Sequence, residues 1–335
     1  MKKETKRNAL RYFGLDPDSC TMEPLGKGHV NESTLVQTAE GDTYTLQRIN
    51  LIACPDPDTL MHNVLAATGH LARMGVRTLQ FLSGENGPLY CGKDGSRYRL
   101  SRYAGRCSVR DSVSSRSAQD VGAAFGALHM ALSSMPVEQL IDMRGGHFHN
   151  MARYRDALLA VAHKAEGKEK ALCDEILAAM QLQIDVQPQQ LPERVLHGDP
   201  KLHNLLFSDA TDLPFYFIDF DNVGAGYLPD DFGDAARSAC CINGSEFSTE
   251  HFARFARGFL SAAPFLSDAE RRALPAAPAR VALELAARYL TDALSGERYF
   301  GALTAEQELQ FAAQRFALYK DALQKLPQLE AACGL

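Results

Sequence analysis

Asp199 and Asn204 stand five residues apart in His197-Gly198-Asp199-Pro200-Lys201-Leu202-His203-Asn204, and Asp219 closes the apolar run Phe215-Tyr216-Phe217-Ile218 fifteen residues later. Oxygen-bearing side chains in that order suit phosphoryl transfer. One carboxylate takes the proton of an attacking hydroxyl, while an amide oxygen and a second carboxylate hold magnesium against the phosphates. Each piece alone is weak, since an Asp-to-Asn spacing of five is common and His-Gly-Asp suits a turn. Together they are specific. Asp199 is therefore read as the catalytic base and Asn204 and Asp219 as the metal ligands. His197 is read as a buried group that orients the loop. Asp221 either supports the metal through water or caps a turn.

The elements needed to bring these groups together are visible in the pattern. Apolar Val195-Leu196 leads into the polar loop, Leu205-Leu206-Phe207 leads out, and a turn at Ser208–Asp212 returns the chain along a strand to Asp219. Asp231-Phe232-Gly233-Asp234 comes too late to supply the metal ligand, so Asp231 is expected to anchor the following helix or the catalytic loop. Upstream, alternating apolar residues predict strands at Ser33–Thr38, Thr43–Ile49, Pro88–Tyr90 and Arg97–Arg102. One helix is predicted from Asp58 to Met74, stopped by Gly75. From Ser117 the period turns helical, with further helices over 151–182, 249–262, 268–296 and 304–325. Gly26 and Gly28 open a turn suited to presenting backbone N–H groups to phosphates.

The residues His197 to Asn204, with Ile218-Asp219-Phe220-Asp221, resemble the signature of the aminoglycoside phosphotransferase and choline kinase superfamily. Other strings are similar to N-acetylhexosamine 1-kinases: Leu25 to Ser33, Tyr44 to Asn50, Phe148-His149-Asn150, Asp231 to Asp234 and Arg288-Tyr289-Leu290-Thr291-Asp292. The resemblance implies an α+β protein-kinase-like fold of two lobes. A small antiparallel-sheet lobe, residues 1–104, would bind nucleotide. A mainly helical lobe, residues 105–335, would hold the catalytic loop and the acceptor, with a hinge at Tyr103–Arg106 holding the adenine. It also implies ATP and Mg2+ as cofactors, and Asn31 and Ser33 near the phosphates. The acceptor residues would be Arg288, Asp292, Tyr299 and His149, with Phe148 and Arg153 beside them. The expected reaction is phosphorylation of the anomeric hydroxyl of GlcNAc or GalNAc. The alternatives are a kinase of choline, homoserine or an aminoglycoside, or a non-catalytic nucleotide binder.

The sequence departs from the family pattern in one respect. The family's third strand brings a Lys to the phosphates, paired with a helix Glu. Here that position is Gln47, with Arg48 beside it, and strand alternation lets only one of the two face the cleft. Leu60-Met61-His62-Asn63 has no Glu. Phosphate positioning is therefore expected to rest on magnesium and backbone groups.

Composition narrows the partners. The 335 residues can bury a large core, and a 46% apolar content is ordinary. A net charge of −6 leaves no basic excess for nucleic acid. No apolar run follows the basic start Lys2–Arg11, so neither a signal peptide nor a membrane span is expected. Eight cysteines without a Cys-x-x-Cys pair read as reduced thiols of a cytoplasmic protein. His147 and His149 have strand-like spacing but no cysteine or carboxylate partner nearby, which argues against zinc. The pattern leaves the oligomeric state open.

Overall fold

The computed structural model describes residues 2–26, 30–185, 191–297, 299–301 and 303–335. The chain opens with helix α1 (Lys2–Tyr12) and strands β1 (Cys20–Pro24), β2 (Glu32–Thr38) and β3 (Thr43–Arg48). Helix α2 (Pro57–Arg73), two short strands β4 (Phe81–Leu82) and β5 (Tyr90–Cys91), and β6 (Arg97–Arg102) follow. The strands form an antiparallel sheet in the order β1-β2-β3-β6-β4, with β5 also on β6. Side chains alternate across it. Val36, Tyr44, Leu46, Tyr98 and Leu100 bury one face against Ala9, Leu10 and Phe13. Ser33, Gln47 and Arg99, cross-strand partners in β2, β3 and β6, line the other face.

Pro57 and the side chain of Asp56, which accepts from the Thr59 N–H, start α2. Its apolar stripe Leu60, Val64, Ala67 and Leu71 belongs to the larger core of the C-terminal part. That part contains β7 (Cys107–Ser108), α3 (Ser115–Leu132), α4 (Met151–Val161), α5 (Gly167–Asp185), β8 (Glu193–Leu196), β9 (Leu205–Ser208), β10 (Pro214–Phe217) and β11 (Gly224–Tyr227). Then come α6 (Leu228–Cys240), the short hairpin β12 (Cys241–Ile242) and β13 (Glu246–Phe247), α7 (Thr249–Ala262), α8 (Asp268–Ala273), α9 (Ala277–Ser295), α10 (Ala305–Gln324) and α11 (Leu326–Ala332). Its largest small sheet has the order β10-β9-β7, while β11 pairs with β8.

This is the expected α+β kinase-like architecture, with corrections. The predicted helix over 151–182 is two helices, separated by residues 162–166, with Gly167 (φ +50°) opening the second. The predicted helix over 268–296 is also two, because Pro275 cannot continue α8, and Pro278 sits in the first turn of α9. The basic start forms three turns of helix rather than one, held to the sheet by Ala9 and Leu10. Of the strand predicted at Pro88–Tyr90 only Tyr90 is strand, as the first residue of β5. Among the described residues, no helix is long and apolar enough to cross a membrane.

Candidate active site

β8 delivers the chain into the loop His197–Asn204, and α6 holds that loop from below. The first turn of α6 carries Asp231, whose carboxylate accepts the backbone N–H groups of His197 (2.7 Å) and Gly198 (3.0 Å). Farther along α6, the Ser238 hydroxyl accepts the Leu202 N–H at 2.8 Å. Gly198 has φ +82°, and a Cβ there would lie 2.3 Å from the Asn222 carbonyl oxygen, so only glycine fits. His197 is fully buried, and burial lowers its pKa. Its Nε2 donates to the Ile218 carbonyl at 3.0 Å, leaving Nδ1 to accept the Asp199 N–H at 3.3 Å. The imidazole therefore ties the loop that carries Asp199 to the strand exit that carries Asp219.

At this junction Asn204 is bonded to Asp199, and Asp219 is near enough to feel the charge of Asp199. Asn204 Nδ2 donates to the Asp199 carbonyl (2.7 Å) and to Asp199 Oδ2 (3.2 Å), and Asn204 Oδ1 accepts from no described residue. Lys201 Nζ donates to the same Asp199 Oδ2 at 2.5 Å. Burial works against the charge on Lys201, but Asp199 and Asp219 outweigh it and hold the ammonium above its ordinary pKa. Asp219 sits in the left-handed region (φ 66°, ψ 58°), which Asp tolerates better than most residues. No described residue offers its carboxylate a hydrogen bond or ion pair. Burial first, then Asp221 and Asp199, push it up to about 7 against the opposing pull of Lys201 and Arg99. A crowded carboxylate without a partner beside a free amide oxygen is a donor set that suits a hard divalent cation.

The sequence reading missed Arg99. Its guanidinium, 2% exposed, makes a fork on Asp221 at 2.7 and 3.0 Å. Its Nε donates to Gln47 Oε1 (3.0 Å), and Gln47 Nε2 donates to Ser33 Oγ (3.0 Å). Asn31 Nδ2 also donates to Asp221, at 2.8 Å, while Asn31 Oδ1 accepts the Asn50 N–H. Gln47 thus faces the cleft. Arg48 lies on the opposite face, between its strand partners Glu32 and Tyr98. The position expected to hold a Lys is neutral, and a cation arrives from the neighbouring strand instead. Asp221 is thereby tied into the sheet. Gly26 has φ +68° and borders a cavity of about 300 Å³ lined also by Leu25, Val30, Asn31 and Ser33. Gly28 lies outside the described residues.

On the helical side, Arg288 of α9 is enclosed by aromatic rings. Its guanidinium carbon lies 4.8 Å from the ring centre of Phe148, 5.0 Å from Tyr154, 5.4 Å from Tyr299 and 5.7 Å from Phe300. Glu284, one turn earlier, is its ion partner at 3.7 Å. Glu284 also meets His149 Nδ1 at 3.2 Å. Burial alone would lower the His149 pKa, but Glu284 outweighs it and pushes the imidazole up to about 9. Asp292 plays a different part. Both its oxygens accept backbone N–H groups, from Tyr299 (2.8 Å) and Phe300 (3.0 Å), so it folds the turn that places those rings on Arg288. Arg153 donates to the His147 and Phe148 carbonyls and fixes the segment before α4. His147 is paired with Glu193 at 2.5 Å. A cavity of about 250 Å³ lies between this segment and the catalytic loop, lined by Arg144, Phe148, His149, Gly198, Asn222 and Asp230 among others.

Residues 21–273, more than half of the chain, match the phosphotransferase enzyme family (APH). Among solved structures, the chain is similar to an amicoumacin kinase bound to AMP-PNP and Ca2+, at 16% identity and TM-score 0.65, covering 95% of this chain and 93% of that one. It is similar to aminoglycoside 2'-phosphotransferase-IIIa in complex with GDP, at 15% identity and TM-score 0.63, covering 97% and 98%. A choline kinase from Cryptosporidium parvum Iowa II aligns at 12% identity and TM-score 0.63, covering 97% and 96%. At these identities the structural likeness speaks for the fold.

Proposed function

This chain belongs to the phosphotransferase enzyme family, and on that premise we propose that it phosphorylates the anomeric hydroxyl of an N-acetylhexosamine, GlcNAc or GalNAc, with ATP and Mg2+. The nucleotide lies between a sheet lobe (1–104) and a helical lobe (105–335), its adenine at the Tyr103–Arg106 hinge and its phosphates beneath the Gly26 turn. The observation that carries the reading is the convergence of Asp199, Asn204 and Asp219 around Lys201.

Asp199 Oδ1, the oxygen not engaged by Lys201 or Asn204, accepts the acceptor hydroxyl. It takes the proton as the new oxygen–phosphorus bond forms and the bond to ADP breaks. Asn204 Oδ1 and Asp219 would hold the magnesium ion, which neutralises charge on the phosphate oxygens when bound. Lys201, anchored on Asp199 and drawn by Asp219, is placed to meet the oxygens of the moving phosphoryl group.

For the acceptor, size and polarity support a single sugar ring. A cavity of about 250 Å³ falls below the ~300–1,000 Å³ typical of drug-sized ligands, which disfavours a multi-ring aminoglycoside. Its lining sets Arg144, His147 and His149 among Asp142, Glu193 and Asp230, a mixed lining rather than the carboxylates alone that a choline-type cation would require. The Arg288 cluster lies beside it through Phe148 and His149. We take Arg288 and Tyr299 as the groups that meet sugar oxygens and a ring face, with Asp292 and His149 holding them in place.

The test is a product assay with ATP, Mg2+ and a panel of GlcNAc, GalNAc, other hexoses, choline, homoserine and kanamycin. Sugar 1-phosphate should form from an N-acetylhexosamine, and the 1-methyl glycoside, whose anomeric oxygen is blocked, should not react. Turnover of an amino alcohol with none of the sugars would overturn the acceptor assignment. Nucleotide binding without turnover of any acceptor would favour the non-catalytic reading, which the missing Lys–Glu pair motivates.

A further inference from the structure

We infer that Arg99 is a positioning residue for the proposed reaction: its ion pair with Asp221 sets the Asp219 carboxylate against the N-terminal sheet, in place of the absent Lys–Glu pair. The inference rests on the phosphotransfer reading above. Four observations carry it. Arg99 is the register partner of Gln47, the residue at the expected Lys position, and Gln47 holds its Nε at 3.0 Å. Both terminal nitrogens are committed to Asp221, at 2.7 and 3.0 Å, and Nη1 also meets the Met61 sulfur of α2 at 3.8 Å. The guanidinium lies over the Phe81 ring at 5.3 Å and is almost fully buried. Asp221 stands two residues beyond Asp219, whose own carboxylate engages no described residue. With four of its five N–H groups engaged by Gln47, Asp221 and Met61, Arg99 is placed as a strut rather than a phosphate ligand.

The same carboxylate gathers the rest of the sheet edge. Asn31, at the start of β2 and beside the Gly26 cavity, donates to Asp221 at 2.8 Å. One partly buried acid of the C-terminal part is thus held by β6 and by the turn before β2, and through Gln47 and Ser33 by β3 and β2. A planar fork on a carboxylate fixes direction as well as distance, which a flexible ammonium would not. The arrangement couples the placement of the sheet to the placement of the metal-facing side chain.

The experiment uses the full chain and the variants Arg99→Lys, Arg99→Met and Arg99→Met/Asp221→Asn. Three quantities are read: Mn2+ affinity in the presence of ADP, the split of kcat from the KM for ATP, and the melting temperature. Arg99→Lys should stay folded and lose roughly 10- to 100-fold in Mn2+ affinity, the range for losing a residue that orients a metal ligand. Its kcat should fall with little change in the KM for ATP. The double variant removes both charges of the pair together, so it should melt close to wild type and still be impaired in Mn2+ affinity and kcat. Recovery of Mn2+ affinity together with stability in the double variant would reduce Arg99 to a structural brace and overturn the inference. So would tighter Mn2+ binding by Arg99→Met, which would make Asp221 itself the ligand, or a raised KM for ATP at unchanged kcat, which would make Arg99 a phosphate contact. The Mn2+ measurement needs no acceptor. If wild type turned over no acceptor, the phosphotransfer reading would fail while the Arg99 result still stood on its own readout.

Discussion

Alkaline pH should weaken the helical part through one buried pair, His149 and Glu284. The two side chains are 4% and 3% exposed, and the imidazole Nδ1 sits 3.2 Å from both carboxylate oxygens. Glu284 lifts the His149 pKa from 6.5 to about 9 despite burial. At 1.36 kcal/mol per pKa unit, this difference of about 2.5 units corresponds to about 3 kcal/mol of stability. The sign follows from the direction. A folded-state pKa above the unfolded value favours the protonated protein, so the contribution is complete below pH 6.5. It declines as pH rises and is gone once pH passes about 9. With an unfolding entropy of about 2.1 cal/mol/K per residue, a chain of this length should lose about 4–5 °C in Tm from this pair. The assay is thermal unfolding from pH 6 to 9.5 for wild type and His149→Asn. Taking the difference between the two removes thiols and other groups that titrate in the same range. The wild-type advantage should be largest at pH 6 and vanish by pH 9.5. An advantage that stays constant across the range would show that His149 is held neutral and that the Glu284 pairing is misread.

Asp199→Asn should cut kcat by about 10²-fold or more while ATP affinity changes little, since the base acts on the acceptor; steady-state kinetics beside nucleotide binding decide it. Asp231→Ala should behave as a stability variant, because it strands the buried His197 and Gly198 N–H groups at a cost of about 1–3 kcal/mol each; an unchanged urea midpoint would count against that role. Gln47→Ala should impair turnover by loosening Arg99, whereas Arg48→Ala, on the outer face, should not; the reverse ranking in kcat/KM would invert the strand assignment. Arg288→Ala should lower sugar kcat/KM by roughly 10- to 100-fold at constant ATP affinity, about 1–3 kcal/mol for an unpaired buried partner.

The string from Val195 to Asp221 could be read from the sequence because its logic is local. A strand, a loop of set spacing and a hairpin place Asp199, Asn204 and Asp219 within one short stretch, whatever the rest of the chain does. The alternation of β2, β3 and β6 was legible for the same reason, and the order of a small sheet before a helical bulk carried the fold class. Periodicity failed where it was continuous but the backbone was not. Apolar spacing runs on across residues 162–166 and past Pro275, where the backbone leaves the helix. Contacts between distant segments left no local mark at all. Arg99 meets Asp221 across 122 positions, and His149 meets Glu284 across 135. Arg288 and Asp292 were both expected at the acceptor, yet folding gave Arg288 to Glu284 and four rings and gave Asp292 to the backbone of a turn. A side chain's partner in a packed interior is set by which surfaces are pressed together, and that depends on the whole chain. The residues able to do chemistry were thus written in the sequence, while the buried ion pairs that hold them in place were decided only in the tertiary structure.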